Sequence, residues 1–441
     1  PAPAGARAAA GPRRPRGRGR WWLVLAVFLA PALLVLGALV VYPIFFTVYR
    51  SLYDRAFEQF VGLDNYRRMF EARRTLTALR NNLIWVVAAP TVVTAAGLVF
   101  AVLTERVRWS TAFKAAVFMP MAISFLSTGV IWRLVYELEP ERGLANALLQ
   151  GVVHVFRPPG PYPGARPSEA DLLRPAGGGY ETVPTYAPGD AVALGLVAIP
   201  PRLVPPEAEP AAEPTAGPGA IAGVVWLDFT RGGGGERGAI DPTEVGLPGA
   251  QVAAIRDGRV VASATTGPDG SFRLEGLPAG AYTLRLTEAT FREPWGGVAW
   301  LGPTLVTPSI IVSYVWIWAG FAMVVIAAGL AAIPREVLEA ARVDGASEWQ
   351  VFRRITVPLL APVVAVVFVT LVINVLKIFD LVLVIAPGAV QDDANVIALE
   401  MWRVSFGGAR DQGLGSALAV FLFLLVLPAM AFNIRRFRRE A

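Results

Sequence analysis

The sequence predicts an all-α polytopic membrane protein of six transmembrane helices, interrupted by an inserted extracytoplasmic all-β sandwich domain. Three observations carry that prediction. Only 17% of the 441 residues are charged, against a hydrophobic fraction of 54% and a mean hydropathy of +0.51, whereas a soluble chain carries about a quarter of its residues as charges. Six apolar runs are long enough to cross a bilayer core. Between the third and the fourth, the composition changes to a Pro/Gly-rich stretch and then to alternating β patterns.

The six runs are 21–47, 82–103, 112–136, 307–332, 359–386 and 414–434; a spanning helix needs about 20 residues. Several contain Pro or Gly, which membrane helices tolerate. Trp21, Trp22 and Tyr42 flank the first run, where aromatic belts form. Arg13, Arg14, Arg16, Arg18 and Arg20 precede that run in the manner of a signal peptide. A signal core is only ~7–15 residues long, so the first run reads as a retained helix.

Six crossings place both termini on one side. With that side cytoplasmic, the inner segments 1–20, 104–114, 333–358 and 435–441 carry 17 Arg or Lys, and the short outer segments 48–81 and 387–413 carry 9. The bias favours cytoplasmic termini, and residues 1–20 form a cytoplasmic Arg-rich arm. The Arg-rich 48–81 loop runs against the bias but includes the acidic residues Asp54, Glu58, Asp64 and Glu71.

The helical part divides into 21–151 and 291–441. Residues 152–218 are rich in Pro, Gly and Ala without a sustained period, which predicts an extended linker. Strand patterns follow at 221–229, 251–255, 259–266, 271–274 and 282–287, separated by Asp257-Gly258, Asp269-Gly270 and Pro278-Ala279-Gly280. Such spacing predicts a small sandwich over 219–290, on the side opposite the termini.

Absences narrow the chemistry. With no Cys there is no disulfide, thiolate metal site or cysteine nucleophile. His154, an ordinary loop residue in this reading, is the only His, which excludes an HExxH metalloprotease. Lys114 and Lys377 are the only lysines and neither follows Gly, so the chain has no Walker A loop. Any ATP is bound by another chain. No enzyme activity, no cofactor in this chain and no nucleic-acid partner are expected.

The segment Glu339-Ala340-Ala341-Arg342-Val343-Asp344-Gly345, followed by Ile355-Thr356-Val357-Pro358, lies in the 333–358 loop. Pro334 can start a short helix there, and Gly345 permits the positive φ of a reversal. The segment resembles the EAA motif of binding-protein-dependent ABC importer permeases, with Val357 in place of the expected Leu. Phe60–Tyr66, Gly143–Leu149, Val298–Gly302, Phe379–Leu381 and Gly413–Ala417 extend the resemblance to about 280 residues, in the maltose or α-glucoside branch.

The resemblance implies a permease fold, and a coupling loop in which Glu339, Ala340, Ala341, Asp344, Gly345, Ile355 and Pro358 dock on an ATPase. It also implies the partners: a second permease subunit, two copies of an ATP-binding subunit that hold ATP-Mg, an extracytoplasmic solute-binding protein, a carbohydrate solute and membrane lipid. The expected location is the inner membrane.

Gly246–Val252, Thr266–Phe272 and Leu277–Leu284 resemble carboxypeptidase-regulatory-like or adhesin B-type modules. Adhesin versions bind Ca²⁺ through acidic residues, which would make Asp228, Asp241 and Glu244 candidates. The Gly-rich run 232–235 interrupts that loop, so they read as solvated turn carboxylates and no metal site is assigned.

Candidates for the solute path are intramembrane polar residues. Asn374, Lys377 and Asp380 recur at i, i+3 and i+6 in the fifth run. Lys377 and Asp380 either pair near the interface or face the path, with Asn374 bonding sugar hydroxyls. Two other function classes compete: a membrane-anchored surface-binding protein whose sandwich carries the activity, and a channel or secondary transporter outside the ABC class.

Overall fold

The computed structural model describes residues 18–440 except 106, 216, 231, 234 and 409. Most of the Arg-rich arm, and Gly234 of the glycine run, lie outside the described residues. In chain order the helices are α1 (Arg18–Leu36), α2 (Tyr42–Arg50), α3 (Asp64–Glu71), α4 (Arg73–Glu105), α5 (Ser110–Phe118), α6 (Phe125–Val135) and α7 (Leu144–Phe156). Nine strands follow: β1 (Arg166–Pro167), β2 (Leu173–Ala176), β3 (Gly179–Thr182), β4 (Ala191–Val197), β5 (Ile221–Leu227), β6 (Gln251–Arg256), β7 (Arg259–Thr265), β8 (Ser271–Leu274) and β9 (Thr283–Leu286). The chain continues as α8 (Glu288–Phe291), α9 (Val306–Ala331), α10 (Arg335–Val343), α11 (Glu348–Val351), α12 (Val357–Leu376), α13 (Asp380–Ile385), α14 (Ile397–Phe406) and α15 (Gln412–Glu440). Two compact units result, one from residues 1–134 and 300–441, the other from 135–299.

In the helical unit, α4 and α9 form the central pair, with Trp85, Ala89, Val93 and Ala101 buried among Tyr314, Ala322, Met323 and Ile326. Small residues permit that approach: a Cβ on Gly97 would lie 2.4 Å from the Ala322 Cβ. Four described helices are long and apolar enough to cross a membrane: Leu25–Arg50, Arg73–Glu105, Val306–Ala331 and Glu348–Leu376. The apolar window of the first is wholly exposed.

Two expected spans are not single straight helices. The run 112–136 breaks between α5 and α6 with a bend of 102°. Pro120 sits in a 3₁₀ turn there, and the Ser124 hydroxyl accepts the Ser127 N–H as α6 begins. The run 359–386 ends its helix at Leu376, passes Phe379 at φ −143° and ψ −62°, and restarts as α13. No Gly or Pro marks that break. The last helix, α15, is 29 residues long, with its described apolar part at Gln412–Pro428.

The second unit holds two sheets, ordered β1-β4-β5-β8 and β2-β3-β9-β6-β7. They share one apolar cluster that includes Leu194, Val225 and Phe272 from the first sheet and Val252, Leu284 and Leu286 from the second. Strands β5 to β9 fall within two residues of the expected positions. Asp257 and Gly258, at φ 50° and 72°, turn β6 into β7 in the doubly left-handed hairpin form.

The 152–218 stretch departs from expectation: it contributes β1 to β4 and the end of α7 instead of a linker. β4 reads Ala-Val-Ala-Leu-Gly-Leu-Val and pairs in parallel with β5 inside its sheet. Val192, Leu194 and Leu196 enter the core, but the residues between them are Ala193 and Gly195, so no polar face marks the alternation in the sequence. Tyr162 is fully buried and donates its hydroxyl to the Pro248 carbonyl at 2.6 Å. Glu181 on β3 accepts from Arg285 on β9 at 2.6 and 3.0 Å.

Candidate functional site: the Glu339–Pro358 element and the polar core

Pro334 is the N-cap of α10, one position before the first helical position that Pro favours, and makes no side-chain cap. At the other end Gly345 has φ +83°. Its N–H donates to the Arg342 carbonyl and that of Ala346 to the Ala341 carbonyl, each at 3.0 Å, the paired bonds of a Schellman cap. Ser347 and Gln350 then form a reciprocal capping box that starts α11. Across the turn Arg342 Nε reaches Glu348 Oε1 at 2.8 Å, and that carboxylate stabilises the protonated guanidinium and raises its pKa.

This element turns its polar backbone inward on itself and its side chains outward. Ile333 and Val351 are buried and Leu338 packs against the helical core, whereas α10 has no buried residue. Val343 and Trp349 are 87% and 65% exposed, and Trp349 lies 5.7 Å from the Phe352 ring. Glu339, Ala340, Asp344 and Gly345 are exposed and Ala341 half-buried. Ile355 and Pro358 do not lie in a loop: a π-turn, Phe352–Thr356, carries α11 into α12 without a break. Widening the helix there accommodates Pro358, which has no N–H to give.

Asn374, Lys377 and Asp380 do not share a helix face. Asn374 Nδ2 donates to the Thr370 carbonyl at 2.9 Å. Lys377 caps α12 and Asp380 starts α13. Both are exposed, and among the described residues neither is in an ion pair.

A different polar group lies between α4 and α9. The Trp85 and Tyr314 rings meet edge-on at 5.6 Å, Tyr314 and Trp318 at 5.8 Å, and Trp318 and Phe321 at 5.5 Å. The Trp85 and Trp318 indole nitrogens, the Tyr314 hydroxyl and the Thr94 hydroxyl are buried without a hydrogen-bond partner among the described residues. Each such group costs about 1–3 kcal/mol when left unpaired. Sequence inspection for charges overlooked them; aromatics with a polar tip inside an apolar run were the available signal. By contrast, a groove of about 580 Å³ beside α12 is lined only by apolar side chains such as Ala361, Val364 and Phe368. It offers a sugar nothing to bond.

Two asparagines explain family-like segments as structural clamps. Asn65 Nδ2 donates to the Ser51 and Tyr53 carbonyls at 2.9 and 2.7 Å. Asn146 Nδ2 donates to the Glu137, Leu138 and Val298 carbonyls, each at 3.0 Å.

The calcium candidates are occupied by protein donors. Asp228 accepts the Gly238 N–H, Asp241 the Glu236 N–H and the Thr230 hydroxyl, and Glu244 the Trp226 indole N–H at 2.9 Å. Among the described residues no acidic or His cluster is arranged to hold a metal.

Residues 261–437 match the family described as binding-protein-dependent transport system inner membrane component. The alpha-glucoside transport system permease protein AglF of Rhizobium meliloti is 29% identical over 96% of this chain and 83% of its own. The osmoprotective compounds uptake permease protein GgtC of Synechocystis is 28% identical over 94% and 99%. A chain of the solved bacterial alginate ABC transporter, in complex with alginate pentasaccharide-bound periplasmic protein, superposes with a TM-score of 0.55 at 17% identity, covering 96% of both chains. The chain belongs to the binding-protein-dependent transport system inner membrane components: it is a multi-pass ABC importer permease of the inner membrane and not an enzyme.

Proposed function

We propose that the chain carries a carbohydrate of the α-glucoside or maltose type through an alternating-access path, driven by ATP that partner subunits hydrolyse. The Glu339–Pro358 element carries this reading. It is a rigid, doubly capped corner that presents Val343 and Trp349 outward, which suits docking on another protein. Glu339, Ala340, Ala341, Asp344 and Gly345 form its docking turn, and the continuous helix through Ile355 and Pro358 transmits its movement into α12. The ATPase and a solute-binding protein are the partners an ABC importer requires; a second permease and two ATPase copies complete the assembly proposed here.

The unpaired polar groups of Trp85, Tyr314 and Trp318 supply donors and aromatic faces, which suit a sugar. The names of the relatives, an alpha-glucoside permease among them, support that class. Asn374, Lys377 and Asp380 would line the outer end of the path. The path switches between inward- and outward-facing states, which the ATPases bias.

The reading takes six crossings, with α5 and α6 forming one bent span and α15 the last; an even number leaves both termini on one side, and the Arg bias of the loops supports the cytoplasm as that side. The two-sheet unit then stands outside the cytoplasm as a sandwich. Purification in mild detergent followed by identification of co-purifying chains tests the class: an ATPase and a second permease are expected, and their absence would refute it. Trypsin added to intact spheroplasts should cut at exposed Arg237 while a tag after Ala441 stays protected. Loss of that tag would overturn the sidedness.

A further inference from the structure

Helix α7 is built inside out for a helix in water. None of its 13 residues is charged. Its polar side chains, Asn146, Gln150 and His154, recur at i, i+4 and i+8 and are buried or half-buried. Asn146 bonds three carbonyls and also accepts the Val298 N–H at 2.9 Å, and His154 Nε2 is enclosed as well. The opposite face, Leu144, Leu148, Val152 and Val155, is exposed, and Leu149 and Phe156 widen it. Leu148 and Val155 are 67% and 76% exposed. A surface helix of a protein in water buries its apolar stripe, whereas α7 buries its polar one.

The solvent that suits this arrangement is hydrocarbon, and the chain places hydrocarbon nearby. Helix α6 ends at Val135, and Asn146 is tied at 3.0 Å to the carbonyls of Glu137 and Leu138. The first turn of α7 is therefore held to residues two and three positions beyond the end of an apolar span. We propose that α7 lies in the interfacial region of the outer leaflet, with Leu144, Leu148, Val152 and Val155 in the acyl boundary and its polar face toward the protein. A lipid surface fits better than a protein partner because α7 contributes no charged residue along its length, whereas protein interfaces carry a polar rim, and the exposed Arg142 and Arg157 flank its ends as basic residues do at a membrane surface. The proposal rests on α6 crossing the membrane.

This chain has no Cys, so a single introduced Cys, labelled before assembly with the partner subunits, carries the only spin label. The assembled transporter in lipid vesicles would carry one label at Leu148→Cys, Val152→Cys or Val155→Cys. Val130→Cys, exposed on α6, is the membrane reference, and Asp257→Cys, on the β6–β7 turn, the aqueous one. Collisions with oxygen should exceed those with a water-soluble nickel chelate several-fold at 148, 152 and 155, as at 130, with the order reversed at 257. Nickel access equal to that at 257 would overturn the proposal, because the face would lie in water. Labels that are immobile and shielded from both reagents would also overturn it, because a protein would cover the face. Nickel access at 130 would instead remove the membrane assignment of α6, and the proposal with it.

Discussion

Gly345→Val is the perturbation whose cost is easiest to isolate. A Cβ at this position would meet nothing within 4 Å, so the substitution brings no clash. The cost comes from the backbone, held at φ +83°, where a residue with a Cβ loses about 1–2 kcal/mol and a β-branched one falls toward the upper end of ~1–3 kcal/mol. Escape to negative φ gives up the Gly345–Arg342 and Ala346–Ala341 hydrogen bonds, worth about 0.5–1.5 kcal/mol each. Either route disfavours the turn by about tenfold or more, since ~1.4 kcal/mol is a factor of ten. Asn tolerates the left-handed region, so Gly345→Asn should remain close to wild type. In proteoliposomes holding the full transporter, Gly345→Val should insert normally, retain less ATPase, and lose solute-stimulated hydrolysis and uptake together. Wild-type transport by Gly345→Val with the ATPase fully bound would refute the coupling role.

Three further outcomes follow from the geometry. Gly97→Val would drive side-chain atoms into Ala322, whose Cβ is already 2.4 Å from an added Cβ. Overpacking of about 1–3 kcal/mol or more should lower the thermal midpoint of the detergent-solubilised protein, and an unchanged midpoint would contradict the α4–α9 packing. Tyr314→Phe removes an unpaired hydroxyl, so stability should hold or rise by up to about 1 kcal/mol while uptake falls; unchanged uptake would remove Tyr314 from the path. Hydrogen bonds from Arg285 lead the causes that hold the Glu181 carboxyl below its ordinary 4.5. Its stabilisation is therefore complete above that value and lost as pH falls through the depressed one. Glu181→Gln should loosen β3 and β9 by about 1–3 kcal/mol near neutral pH, read as faster amide exchange, and the difference should vanish in strong acid.

The residues that were legible in advance are those whose local chemistry decides their structure. Gly345 and the Asp257-Gly258 turn act through their own φ preferences, β8 and β9 alternate in burial because one face meets the core, and β5 and β6 were marked by their flanking turns although they are buried almost throughout. What escaped was set by distant partners. β4 places Val192, Leu194 and Leu196 in the core and only Ala and Gly between them, so it shows no polar alternation, and its Pro- and Gly-rich surroundings concealed it. The break after Leu376 has no Gly or Pro to announce it, so Asn374, Lys377 and Asp380 seemed to share a face they do not share. Trp85, Tyr314 and Trp318 carried no sequence expectation, because only the packing of α4 against α9 leaves their polar atoms unpaired. Asp228, Asp241 and Glu244 read as solvated turn carboxylates, but Glu244 is buried and accepts the Trp226 indole N–H, a partner 18 residues away that no local pattern announces.

The central claim is that this chain moves a sugar only when partner subunits hydrolyse ATP. Proteoliposomes containing the purified transporter, with ATP enclosed on the ATPase side and a labelled maltose-type sugar with its binding protein on the other, test it directly. The account predicts accumulation against the gradient that requires both ATP hydrolysis and the binding protein. Equal flux without ATP, or accumulation that follows an ion gradient instead, would contradict it.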